Sequence, residues 1–302
     1  MRVPIRSKNL RGAVLGLVPL LFAIGCGDSG GSASGGGSTH TIANIGSDTM
    51  LQLAMAWSEA YPEPGVSVEV NGGGSGVGIA GLINGSVDLA NSSRAFEEKE
   101  AADLRAKFGK EPIGVTVGYD ALSIYVHRDN PLQEITLEQL AGIYSKDGKI
   151  RTWSDLGVGP IPGAQGDEII AISRQNNSGT HHYFKEAVVG KKGVLRPDCV
   201  NQNGSADVVN LVATTPNAMG YSGMGYRTDA VRILKVAKRS GEPAILPSIA
   251  STLDKSYPIA RPMFVYTAGE PAAHIKKYID WILSEPGQSL LAENGYVPLP
   301  KQ

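Results

Sequence analysis

The sequence predicts an α/β protein built as two lobes joined by two crossing strands. Three observations carry that reading. Short apolar β runs alternate with helical periodicities, and several strands hand over to a helix through a Gly- or Ser-rich turn. Two β runs, 115–126 and 259–266, are long enough to pass from one lobe to the other. Strand–helix units precede the first run and lie between the two, whereas only helices follow the second. Lobe I is therefore expected to comprise 39–125 plus 258–302, and lobe II 126–257.

Taken in order, the chain opens with Arg2, Arg6, Lys8 and Arg11 and no acid, then an apolar stretch over 12–25. That stretch is short of the ~20 residues of a membrane-spanning helix. Residues 1–25 read as a lipoprotein signal peptide. Ala23-Ile24-Gly25-Cys26 resembles a bacterial lipobox, in which Cys26 is acylated and becomes the new N-terminus. Residues 26–38 are Gly and Ser with little else, a flexible tether. The expected location is the bacterial periplasm or cell surface, with lipid as the only membrane attachment.

Composition narrows the function classes. The 28 basic and 29 acidic residues nearly balance, with no basic stripe and few aromatics, so a nucleic-acid partner is not expected. Besides Cys26 there is only Cys199, so no internal disulfide is expected once Cys26 is acylated. Cys199 reads as a buried, inert thiol.

In lobe I a strand over 41–45 leads into Gly46-Ser47-Asp48-Thr49-Met50, and apolar residues then recur at helical spacing to 61. A strand over 66–70 meets the Gly-rich turn 71–78, followed by a short helix over 79–84. A strand over 87–90 ends in Asn91-Ser92-Ser93-Arg94, and 97–108 is a charged amphipathic helix. In lobe II, 137–144 is helical, 152–157 a capped turn and 168–172 a buried strand. Helices are expected over 181–189 and 206–213, with a strand over 217–221. After the second crossing run come an amphipathic helix over 273–283 and a last helix from Pro286.

Gly76-Val77-Gly78-Ile79-Ala80-Gly81 matches the spacing of a dinucleotide-binding turn. Its helix ends within two turns at Asn84-Gly85, and Asp88 comes too early to meet a ribose. The dinucleotide reading is set aside, and no cofactor is expected. Five scattered histidines and no H-E-x-x-H leave no metal site. Adjacent His181 and His182 point about 100° apart on a helix and read as exposed surface. No Ser/His/Asp order emerges, so no catalytic residues are assigned.

The organising stretch is Ser173-Arg174-Gln175-Asn176-Asn177-Ser178-Gly179-Thr180, between a buried strand and a helix. The first N–H groups of a helix lack partners and carry partial positive charge. A guanidinium and two hydroxyls beside them make a socket for a tetrahedral oxyanion. Capping by Ser178 with a surface Arg174 is the simpler alternative.

These motifs occur together and in order with Gly73-Gly74-Ser75-Gly76 and Ala218-Met219-Gly220-Tyr221. Over roughly 40–302 the chain resembles the substrate-binding lipoproteins of ABC-type high-affinity phosphate importers. The resemblance implies a type II periplasmic-binding fold that holds inorganic phosphate between its lobes and delivers it, as a monomer, to ABC permease subunits. It further implies that Thr49, the N–H of Met50, Ser75 and Ser93 donate from lobe I, with Ser47 and Arg94 as neighbours. Arg174, Ser178, Gly179 and Thr180 would close from lobe II. Some members carry carboxylates where this chain has Ser93 and Asn176. Asp48 is then the nearest acceptor for the proton that phosphate carries and sulfate lacks, unless it is only a helix-terminal charge facing solvent. Molybdate, tungstate or sulfate binding, an exported phosphohydrolase, and a sensor or adhesin on the same scaffold are the competing readings.

Overall fold

A computed structural model describes residues 39–300. The expected signal peptide, Cys26 and the expected Gly/Ser tether lie outside the described residues. The chain runs β1 (His40–Gly46), α1 (Leu51–Ala60), β2 (Val66–Asn71), α2 (Ser75–Asn84), β3 (Leu89–Ser92), α3 (Glu98–Phe108) and β4 (Pro112–His127). It continues through β5 (Glu134–Thr136), α4 (Leu137–Tyr144), β6 (Ile170–Arg174), α5 (Gly179–Phe184), β7 (Val200–Gln202), α6 (Ser205–Thr214) and β8 (Ala218–Gly223). The last elements are β9 (Val231–Ile233), β10 (Lys235–Ala237), α7 (Ile249–Leu253), β11 (Ala260–Ala268), α8 (Ala273–Leu283) and α9 (Glu285–Glu293).

One mixed sheet runs β2-β1-β3-β11-β4-β8-β6-β7 through both lobes, with β9 also on β4. The 16-residue β4 makes this possible. From Pro112 to Ala121 it pairs antiparallel with β11, and from Leu122 to Val126 with β8. The returning chain arrives beside that switch: Leu122 N–H donates to Ile259 O at 2.9 Å, and Ala260 then pairs with Ala121. The two crossings are thus antiparallel neighbours, and the result is a two-lobed α/β fold. Parallel β1, β2 and β3 on one side and parallel β6, β7 and β8 on the other aim their C-terminal ends at the region between the lobes.

Apolar side chains fill the interior of both lobes. In lobe I, α1 buries Leu53, Ala54 and Trp57, and the Trp57 indole N–H donates to Gly287 O at 2.8 Å. In lobe II, Phe184 stacks on Tyr221 at 3.7 Å between ring centroids, and Tyr144 meets Phe184 edge-on. Truncating either buried aromatic to Ala is expected to cost about 3–5 kcal/mol. Near the crossings one apolar cluster takes Ile42, Met50 and Trp57 from lobe I with Ile172, Val208 and Tyr226 from lobe II.

The structure moves several sequence-based boundaries. The third strand is Leu89–Ser92, not 87–90, because the Asp88 carboxylate accepts from Ala43 N–H at 2.8 Å and pairing with β1 starts at Leu89. Helix α2 starts at Ser75, so Gly76 and Gly78 are helical and not part of a turn. Gly78 is needed for close approach: a Cβ there would sit 2.3 Å from Ile45 O. The helix after Ser178 begins at Gly179 and ends in a π-helical turn, Lys185–Val189. Strands β5, β7, β9 and β10, three residues each, and the five-residue α7 are too short to leave a periodicity.

Candidate functional site

Strand ends on both sides of the cleft deliver hydroxyls to one place. β1 hands over to α1 through Ser47, Asp48 and Thr49, β2 to α2 at Ser75, and β3 ends beside Ser93. From the other lobe, β6 ends in Arg174 and leads to Ser178, Gly179 and Thr180, while α6 opens at Ser205. Ligands of open α/β sheets gather at such C-terminal strand ends.

The contacts are short and cross between the lobes. Thr49 Oγ1 lies 2.7 Å from Thr180 Oγ1. Ser47 Oγ donates to Ser93 Oγ at 2.9 Å, and Ser75 Oγ lies 3.4 Å from Ser93 Oγ while accepting from Ser93 N–H at 3.1 Å. Gly179 is pressed against this trio; a Cβ there would meet Ser75 Oγ at 2.3 Å and Ser93 Oγ at 2.7 Å. The six hydroxyl residues Ser47, Thr49, Ser75, Ser93, Ser178 and Thr180 are at most 3% exposed.

Arg174 is fully buried. Its Nη1 donates to Ser205 Oγ at 2.9 Å, and its Nη2 donates to Asn203 O at 2.6 Å and to Asp48 Oδ2 at 3.0 Å across the cleft. Burial pulls the Arg174 pKa down and the nearby Asp48 carboxylate opposes it; an arginine still stays charged. Asp48 therefore does not simply face solvent. Its other oxygen accepts from Gly73 N–H at 2.8 Å. Asn177 completes the seam, donating its amide to Gly73 O at 2.8 Å and accepting at its carbonyl from Gly76 N–H at 3.0 Å.

Three expected residues are arranged differently. The Met50 N–H donates to Ser47 O at 2.9 Å, because the chain makes a tight turn before α1, and its side chain lies in the core. Arg94 forks onto Glu100 at 2.8 and 2.6 Å, which turns its guanidinium toward α3 at the cleft edge. Ser178 caps α5, its Oγ accepting from Thr180 and His181 N–H, as the capping alternative predicted, yet it is buried with the cluster. Asn176 is exposed on the loop. His181 is not simple exposed surface: it is half-buried, its Nδ1–H donates to Arg174 O at 2.8 Å, and burial lowers its pKa. Among the described residues no three His, Cys, Asp or Glu side chains gather as a metal would need.

Sequence reasoning missed Ser205, Asp120 and Arg261. Arg261 Nη2 donates to Thr180 Oγ1 at 2.9 Å, Thr49 Oγ1 at 3.3 Å and Asp120 Oδ2 at 2.8 Å. The available signal was a single charge inside each apolar β run, which burial makes costly without a partner.

A family profile described as a PBP superfamily domain matches residues 31–286. The chain belongs to that superfamily of two-lobed binding proteins. It is 32% identical over 277 residues to phosphate-binding protein PstS of Pseudomonas aeruginosa, covering 87% of this chain and 84% of that one. PstS of Bacillus subtilis is 27% identical, with 93% and 90% covered. A crystal structure of a phosphate ABC transporter substrate-binding protein from Clostridium perfringens, with phosphate bound, superposes with a TM-score of 0.74 at 29% identity, covering 86% of this chain and all of that one. Within the superfamily the chain therefore belongs to the PstS family of phosphate-binding proteins. These relatives are named for binding and transport, not for catalysis.

Proposed function

We propose that this protein captures inorganic phosphate between its lobes and delivers it to the permease of an ABC importer. The observation that carries the reading is the convergence of Thr49, Ser75 and Ser93 with Arg174, Gly179 and Thr180 at one buried point. Hydroxyls and N–H groups replace water around the ion, and Arg174 supplies charge-assisted bonds that need no proton bookkeeping. Because these hydroxyls are at most 3% exposed, an ion from solvent reaches them only when the lobes hinge apart. The natural axis is the paired crossing at Ala121–Leu122 and Ile259–Ala260, with 39–125 plus 258–302 moving against 126–257. Closure then buries the ion and fixes the relative position of the two lobe surfaces that a permease would read.

Ser47 extends the hydroxyl chain through Ser93, Ser178 orders the α5 terminus, and Arg94 flanks the entrance. The Met50 N–H becomes a donor only if its turn with Ser47 opens. Asp48 is assigned as acceptor of the phosphate proton; its carboxylate already lies beside Arg174. We also infer that Cys26 carries the lipid anchor and that residues 1–25 are removed. Release of a Cys26→Ser protein from the membrane fraction supports the anchor, and unchanged retention sinks it.

Calorimetry on residues 39–302 tests the ligand. Phosphate is expected to bind with heat release and sulfate and molybdate far more weakly. Equal or tighter binding of either would assign the site to another oxyanion. Turnover of a phosphomonoester that Arg174→Ala abolishes would move the protein to the hydrolases.

A further inference from the structure

Arg261 and Asp120 are Cα partners on the adjacent strands β11 and β4, on the lobe I side of the crossing. Both side chains are buried, at 1% and 0% exposure. Asp120 is fully engaged: Oδ2 accepts from Arg261 Nε at 3.1 Å and Nη2 at 2.8 Å, and Oδ1 accepts from Met224 N–H at 3.2 Å. A pair that only stapled one strand to the other would need nothing more. Arg261 reaches further. Its Nη1 donates to Ser93 O at 3.2 Å, and its Nη2 meets Thr49 of one lobe and Thr180 of the other. Its guanidinium also faces the Tyr183 ring at 5.5 Å and, with Ser93, lines a cleft of about 540 Å³ between the lobes.

We propose that Arg261 is a second arginine of the oxyanion site, with Asp120 as the residue that positions it. This rests on the phosphate reading and adds a residue to it. A hydroxyl has one hydrogen to give and two lone pairs. Thr49 and Thr180 both accept from Arg261, so an anion that parts their mutual 2.7 Å contact can take the hydrogen of each. The same guanidinium brings a second positive charge to Thr49 and Thr180. Asp120 keeps the fork from swinging away and offsets its charge, so the cluster stays near neutral before an anion arrives. Because the pair lies on the lobe I side of the crossing, the cation stays with Thr49 and Ser93 when the lobes part.

The test compares wild type with Arg261→Met/Asp120→Asn, which removes both charges together and leaves no unpaired ion, and with Arg261→Lys, which keeps the charge but loses the fork. Phosphate Kd and the melting temperature of the phosphate-free protein are measured for each. The double variant is expected to keep its melting temperature within a few degrees and lose at least thirtyfold in phosphate affinity, with the lysine variant between it and wild type. A folded double variant within threefold of the wild-type Kd overturns the proposal and leaves a strand staple. Should the double variant not fold, Arg261→Lys decides alone: a fivefold or greater loss supports the proposal and an unchanged Kd overturns it. If wild type itself fails to bind phosphate, the functional reading fails first.

Discussion

Gly179→Ala separates closure from folding. Gly179 is the first residue of α5 and has no left-handed φ, so alanine fits its backbone and is the better helix former. The added methyl points at the other lobe. It would lie 2.3 Å from Ser75 Oγ and 3.0 Å from Ser75 Cβ, where ordinary contact begins at 3.4 Å. Rotating Ser75 does not relieve the clash, because Ser75 Cβ stays too close and the hydroxyl would give up its bond from Ser93 N–H. The lobes must therefore stop roughly 1 Å short at this point. The methyl also takes the space in which an anion held by Ser75, Ser93 and the Gly179 N–H would sit. Losing one charge-assisted hydrogen bond, worth about 1.5–3 kcal/mol, weakens binding by about ten- to two-hundredfold. Calorimetry gives the Kd, and small-angle scattering with and without phosphate gives closure. The variant is expected to keep the wild-type melting temperature without phosphate, bind weakly and remain more open when loaded. Affinity within threefold of wild type, with full compaction, would refute the reasoning.

Other outcomes follow from the same geometry. Arg174→Lys replaces a fork that reaches Ser205, Asn203 and Asp48 with a single ammonium; phosphate affinity is expected to fall at least tenfold, and calorimetry showing no change would remove Arg174 from the site. Asp48→Asn is expected to narrow the preference for phosphate over sulfate, measured as the ratio of the two dissociation constants; an unchanged ratio would discard Asp48 as the proton acceptor. Burial pushes the Cys199 thiol from 9.0 up to about 11, so the unfolded chain loses this proton first and the folded state loses stability as pH climbs through that window. Urea midpoints of Cys199→Ala should fall less steeply than wild type between pH 9 and 11, and parallel curves would contradict the assignment. Burial lowers the His181 pKa, so its contribution is whole above the unfolded value near 6.5 and fades as pH falls through the lower folded value. His181→Gln should flatten the acid limb of a stability–pH curve; an equally steep limb would count against it.

The sequence was most readable where pattern and punctuation agree. Helices α4 and α8 fall on the expected residues because their apolar spacing is strong, and α4 also has a capping box between Thr136 and Gln139. The hydroxyl cluster was legible for a similar reason: each member follows a strand and precedes or flanks a helix start, where donors are exposed by construction. Glycine misled the reading of α2, since Gly76 and Gly78 serve close packing and not a turn. Arg261 and Asp120 were hidden because they meet across 141 residues of sequence. Strand periodicity says that neighbouring residues face opposite ways, not which distant strand lies alongside. Ser205 was passed over because a helix-opening serine is ordinary until Arg174 is seen to reach it.

A crystal structure of residues 39–302 grown with phosphate tests the central claim most directly. A single tetrahedral ion is expected buried between the lobes, within hydrogen-bond distance of Thr49, Ser75, Ser93, Arg174, the Gly179 N–H and Thr180. An ion held elsewhere, or touched by residues of one lobe alone, would contradict that claim.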